Sequence, residues 1–266
     1  MAKMHPPTSH EQLPLPLAGR AAVVTGSSSG IGKAIAIELA AAGADVLVHT
    51  KSNAAGAEET ADAIGQAGRK STVVIADIAD DESAARLISA AFDWRNDISI
   101  WVNNAGADVL TGEAANLTFD EKLELLWQTD VRGTIALSRL AASQFQQRKT
   151  LGATILNIGW DQAETGMAGD SGEMFAAIKG AVMAFSRSLA KSLAPSVRVN
   201  CLAPGWIKTS WGDDASDYWQ TRAAGESLLA RWGTPEDVAR AARFLVSSEA
   251  EFINGQVIAV NGGLVS

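Results

Sequence analysis

Seven short apolar runs punctuate the chain, at 20–25, 45–49, 72–76, 98–103, 154–158, 197–202 and 256–260. Each is rich in β-branched residues and apolar at consecutive positions, the pattern of a strand buried on both faces. Between them lie longer stretches with apolar residues at helical spacing, at 31–42, 53–66, 81–94, 118–148, 173–193 and 235–247. Thr234 and Pro235 give the last of these an N-cap and a first-turn proline. The alternation predicts one α/β domain with a doubly wound parallel sheet of about seven strands flanked by helices. A closed eight-stranded barrel fits less well, because the strands number about seven and a glycine turn follows the first. Two segments break the rhythm. Residues 1–16 hold Pro6, Pro7, Pro14 and Pro16 without an apolar run, and read as a flexible arm before a domain at 17–266. Residues 205–233 are irregular and aromatic, with Trp206, Trp211, Tyr218, Trp219 and Trp232.

Composition changes this picture little. At 266 residues, 47% apolar and 20% charged, the chain suits one globular domain with a sizeable core. A net charge of −8 argues against nucleic acid or an anionic membrane as partner. No apolar run is long enough to span a bilayer. A small anion still fits, because backbone N–H groups at a helix end decide its affinity locally. Cys201 is the only cysteine. It excludes an internal disulfide, sits in an apolar run that predicts burial, and points to a reducing, cytoplasmic setting. No residue pattern suggests a metal site.

The chemistry-bearing motifs lie where strands end. Thr25-Gly26-Ser27-Ser28-Ser29-Gly30-Ile31-Gly32 joins the first strand to the first helix. Gly26 permits the turn, Gly30 lets backbone approach a pyrophosphate, and Gly32 allows close packing of helix on strand. Asn103-Asn104-Ala105-Gly106 ends the fourth strand, Asp77 follows the third, Pro204-Gly205 with Thr209 follows the sixth, and Gly262-Gly263 lies near the C-terminus. Together these motifs resemble the short-chain dehydrogenase/reductase family over about 17–263. The resemblance implies a Rossmann-type fold that binds a nicotinamide dinucleotide. It further implies cofactor contacts from Gly26, Ser28, Ser29, Gly30, Ile31, Gly32, Lys51, Ser52, Asp77, Ile78, Asn103, Ala105, Gly106, Lys179, Pro204, Gly205, Ile207 and Thr209. It also makes 205–233 a substrate lid. NAD-preferring members carry a carboxylate at the end of the second strand, where this chain has Thr50 followed by Lys51 and Ser52. Without that carboxylate, and with Lys51 near, NADP(H) is expected over NAD(H), which stays possible.

Active members of the family carry Tyr-x-x-x-Lys. Here the segment is Phe175-Ala176-Ala177-Ile178-Lys179, and a phenyl ring has no proton to give. The family's serine falls at Trp160 or Asp161, and its asparagine at Asp130. Only Lys179 remains of four groups, and its cofactor-ribose role in the family needs no tyrosine. Three readings stay open. An enzyme could use another acid: Asp161 beside Trp160, or Tyr218 swinging in from the lid, with Glu164, Asp170 and Glu173 as weaker candidates. A silent sensor or scaffold could bind NADP(H) and a ligand. Or the substrate could need little acid, as an iminium or quinonoid ring would. Pterins, quinones and imines fit the aromatic content around Trp160 and the lid. The resemblance also implies a homodimer or homotetramer through the helices carrying Leu123, Leu126, Trp127 and Ile135, and Val182, Phe185 and Leu189.

Overall fold

The computed structural model describes residues 15–209, 212 and 215–263. Seven strands form one parallel sheet: β1 (Ala21–Val24), β2 (Asp45–Thr50), β3 (Ser71–Ile75), β4 (Ile98–Asn103), β5 (Ala153–Ile158), β6 (Val197–Pro204) and β7 (Val257–Val260). Their order is β3-β2-β1-β4-β5-β6-β7. The chain winds outward from β1 in one direction and from β4 in the other. The carboxyl ends of β1 and β4 therefore flank a crevice, where doubly wound sheets bind their ligands.

Strand alternation sends Ala22 and Val24 to one face and Ala21 and Val23 to the other. The first face is covered by α1 (Gly30–Ala41), α2 (Ala54–Gln66) and α8 (Pro235–Val246). The second is covered by α3 (Asp81–Trp94), α5 (Thr134–Arg148) and α6 (Asp170–Leu193). Leu17 is fully buried, and its N–H donates to the Ala42 carbonyl. Thr234 caps α8 in a reciprocal box with Asp237 behind Pro235. Among the described residues, no helix is long and apolar enough to cross a membrane.

Three elements differ from their sequence reading. The helix expected at 118–148 is α4 (Phe119–Leu126), a π-helical segment (Trp127–Gly133) and then α5. Its apolar spacing is continuous enough to hide the widened turns. Helix α6 begins three residues early, after Gly169 at φ 94°, which puts Asp170 and Glu173 in a first turn that favours acids. The segment 205–233 contains α7 (Asp217–Gly225), which buries only Ala223 and so shows no apolar stripe. Trp211 lies outside the described residues.

Candidate active site

The crevice is built by two turns that interlock. Asn104 Nδ2 donates to the carbonyls of Thr25 and Gly26 at 3.0 and 3.1 Å, and the Asn104 and Ala105 N–H groups both donate to Thr25 Oγ1 at 3.0 Å. The approach leaves no room for side chains. A methyl on Gly26 would lie 2.7 Å from Ala105 Cα, and one on Gly32 would lie 2.2 Å from the Gly26 carbonyl oxygen. Gly30 is different: at φ 54° its added methyl would meet, among the described residues, only Thr209 Cγ2, at 3.6 Å. The space beside Gly30, at the amino end of the twelve-residue α1, is thus open to a ligand. Ser29 caps α1 without a side-chain bond to it, and Ile31 lines the cavity below. Free N–H groups, a positive dipole and this clearance fit a pyrophosphate.

His49, which the sequence reading passed over, holds the turn from behind. It is 1% exposed. Its Nδ1 accepts the Gly26 N–H at 3.1 Å, and its Nε2 lies 3.0 Å from the Ala76 carbonyl. Those partners require the neutral ring protonated on Nε2. Burial pushes its pKa down to about 4, against the carbonyl of Ala76 and the charge of Asp77, which raise it.

At the carboxyl end of β2, Thr50 is buried and its Oγ1 donates to Ser28 Oγ at 3.2 Å. Lys51 is not a free cation: its Nζ lies 2.8 Å from Asp77 Oδ2. Partial burial raises the Asp77 carboxyl, but Lys51 and the Ala79 N–H reverse this and hold it below the usual range. Ser52 is exposed beside them. Ile78 is buried, and the backbone at its carbonyl passes so near Gly133 that a methyl there would lie 2.9 Å away.

The side chain of Asn103 turns away from the crevice. It is 3% exposed, and its side chain belongs to a network behind the site. Trp101 Nε1 donates to Asn103 Oδ1 at 2.9 Å, and Asn103 Nδ2 donates to Ser138 Oγ and Asn157 Oδ1 at 2.9 and 2.8 Å. The neighbouring Asn104 lines the crevice instead. Strand alternation could have told the two apart: Asn103 is the last buried strand position, Asn104 the first beyond it.

A cavity of about 490 Å³ opens from the crevice, walled by Leu110, Ile158, Trp160, Met167, Phe175, Trp206, Ile207 and Trp219. Asn104, Ser171, Lys179 and Thr209 are its polar lining, with Pro204 and Gly205 at the end of β6. Phe175 packs edge-on against Trp160 at 6.3 Å and joins an apolar cluster with Val109, Met174 and Ile178. Lys179 Nζ lies 2.8 Å from Asp130 Oδ2, and Asp130 Oδ1 accepts the Ala107 N–H at 2.8 Å. Asp130 is 2% exposed, and it stands in the π segment so close to Gly106 that a methyl there would lie 2.7 Å from its Oδ2. The two residues singled out as lysine and asparagine positions thus form one ion pair, its carboxylate buried and its ammonium at the cavity, which spacing alone did not reveal.

The alternative acids lie elsewhere. Asp161 stands behind Gly205, not in the lining, and its Oδ2 accepts from Asn261 Nδ2 at 3.1 Å while its Oδ1 is buried without a partner. Burial raises its pKa, although the Asn261 bond acts in the opposite sense. Tyr218 is 63% exposed on α7 and packs on Trp219, outside the cavity lining. Glu164 pairs with Arg187 at 2.5 Å, and Asp170 and Glu173 are exposed on α6. Trp206 and Trp219 wall the cavity, whereas Trp232 packs behind Trp206 at 6.1 Å. Trp206 Nε1 donates to Glu226 Oε2 at 2.7 Å, and the Arg222 guanidinium lies 5.1 Å from the Trp219 ring. Cys201 is buried behind Gly159, and burial pushes its thiol up to about 12, so it takes no part.

Comparison with known proteins agrees with this geometry. A family model described as Enoyl-(Acyl carrier protein) reductase matches residues 26–265. An uncharacterized oxidoreductase of Methylorubrum extorquens is 34% identical, over 93% of this chain and 98% of its own length. A short-chain dehydrogenase of Burkholderia cenocepacia, solved in complex with NADP, is 31% identical with a TM-score of 0.82, over 93% of this chain and 98% of that one. A 7α-hydroxysteroid dehydrogenase complexed with NADH and 7-oxo glycochenodeoxycholic acid is 30% identical with a TM-score of 0.85, covering 95% and 96% of the two chains. Sheet order, interlocked turns and whole-chain likeness make this chain a member of the short-chain dehydrogenase/reductase family of NAD(P)-dependent oxidoreductases.

Proposed function

We propose that the chain is a cytoplasmic NADP(H)-dependent reductase that hydrogenates a planar or cyclic acceptor without a phenolic proton donor. One observation carries the reading: Asn104, Thr209 and Lys179, on the cofactor side, open onto the same cavity as Trp160, Phe175, Trp206 and Trp219. When bound, the reduced nicotinamide would supply hydride. The chain's own residues bind and orient: the turn at Gly26–Gly32 and the end of α1 hold the phosphates, Thr209 and Lys179 face the nicotinamide half, and the aromatic wall stacks the acceptor and excludes water. No described residue in the lining matches the missing phenol, so the acceptor must need little acid.

NADP(H) is favoured because no carboxylate at Thr50 repels a 2′-phosphate. Lys51 must exchange Asp77 for that phosphate, so the preference is expected to be modest, roughly tenfold or less for one charge-assisted contact. A second reading, a catalytically silent NADP(H)-binding sensor, is favoured by the placement of Asp161 and Tyr218 away from the cavity lining. The two are separated by following NADPH absorbance against ketones, quinones, dihydropterins and cyclic imines, with wild type and Phe175→Tyr. Turnover by wild type on a planar acceptor supports the reductase. Inert wild type that binds NADPH, beside a Phe175→Tyr variant that gains ketone reduction, establishes the silent protein.

A further inference from the structure

We propose that the acceptor is a cyclic iminium cation, admitted because Asp130 cancels the charge of Lys179 beside a wall of aromatic faces. The proposal rests on the reductase reading above and names its substrate class.

Lys179 is the only charged side chain among the described residues lining the cavity. Alone, its ammonium would repel a cation. Its Nζ is instead 2.8 Å from the buried carboxylate of Asp130, and the pair presents no net charge. The lid is balanced in the same way. Arg222 Nε pairs with Glu226 Oε1 at 2.6 Å while its guanidinium rests 5.8 Å from the Trp206 ring and 5.1 Å from that of Trp219. These rings therefore already carry a cation on a face. Behind Gly205, Asp161 has no cation within ion-pair reach among the described residues, and one of its oxygens is buried without a hydrogen bond to any of them. Whatever negative charge it holds adds to a potential that favours a cation in the cavity. Neutral ketones would fare worse. Their oxygen gains negative charge as hydride arrives, and it would face Phe175 and a lysine whose charge is already spent on Asp130.

The step balances without an acid. The iminium carbon accepts hydride from the reduced nicotinamide. The C=N π pair becomes the nitrogen lone pair, giving a neutral tertiary amine, and the nicotinamide is oxidised to its cationic form. No proton moves. One positive charge crosses from acceptor to cofactor, so the total charge between the aromatic walls is constant through the reaction.

Two measurements test this. With NADPH, wild type is expected to convert N-methyl-3,4-dihydroisoquinolinium to the tetrahydro amine well above the protein-free rate, and to leave the neutral bicyclic ketone α-tetralone untouched. Binding is then read without cofactor, from quenching of the lining tryptophans by trimethylanilinium and by its neutral isostere tert-butylbenzene. Asp130→Asn is expected to weaken the cation about tenfold and the isostere hardly at all, by leaving Lys179 uncompensated. The double variant Asp130→Asn with Lys179→Gln, a neutral pair of similar size, is expected to recover the cation. If Asp130→Asn shifts both probes equally, or neither, the charge argument is overturned. Wild type that reduces quinones or ketones but not the iminium overturns the proposal and leaves the reductase reading standing. Wild type that reduces none of them overturns both.

Discussion

At the scale of single residues, the least visible part of the site is the one that titrates. His49 reads in the sequence as one polar letter in an apolar strand. Only the fold shows that its ring ties the Gly26 N–H to the Ala76 carbonyl. Its folded pKa, about 4, is below the ordinary 6.5. Between these values the unfolded chain binds the extra proton, so stability is complete above pH 6.5 and is lost as pH falls toward 4. The shift corresponds to about 3 kcal/mol. In urea titrations at pH 7 and pH 5, His49→Gln is expected to flatten this pH dependence, since an amide can accept and donate but not titrate. An unchanged pH dependence would assign the loss to other groups. Letters were enough to single out Phe175, Asp130 and Trp160. They were not enough to show that Asp130 reaches Lys179, that Asp161 turns toward Asn261, or that Asn103 serves a buried network. Each depends on a direction in space that residue spacing along the chain does not encode.

Among elements, the sheet was legible because strands covered on both faces leave unbroken apolar runs, and the covering helices leave amphipathic ones. All seven strands fall where those runs lie, within two residues at their ends. The π segment and α7 were not legible. The first preserves helical spacing while changing the hydrogen-bond ladder, and the second buries almost nothing. The junction of β1 with α1 offers a sharper contrast, between two glycines of one motif. Gly32→Ala would drive a methyl into backbone, so a loss of about 3 kcal/mol is expected. That is a fall in melting temperature of roughly 6–12 °C for a chain of this size. Gly30→Ala meets no backbone and is strained only by its positive φ, so it should cost about 1 kcal/mol. Its methyl would occupy the phosphate clearance, and NADPH affinity is expected to fall at least about tenfold, as one lost charge-assisted contact implies. Calorimetry beside cofactor fluorescence separates the two effects. Unchanged NADPH affinity in Gly30→Ala would mean that the clearance at Gly30 is not a ligand site.

For the whole molecule, apolar surface remains that the monomer does not use. Of the residues expected to form a subunit contact, Leu126, Val182 and Leu189 are core, whereas Trp127 is 45% exposed beside a groove between α4 and α6 lined by Leu123 and Ile178. Phe252 is fully exposed, with Leu228 at 73% and Leu229 at 63% on a different segment. Exposed rings of this size suit the core of a protein interface. Light scattering at micromolar concentration is expected to give a homodimer or homotetramer, and Trp127→Glu a smaller species. A monomeric wild type would remove subunit assembly from the account. The Lys179–Asp130 pair carries one last consequence, a non-additivity. A phenol placed at position 175 would meet a lysine already paired with a carboxylate, and an amide at position 130 alone would leave that lysine facing a phenyl ring. The two changes together are therefore expected to be worth more than the sum of their separate effects.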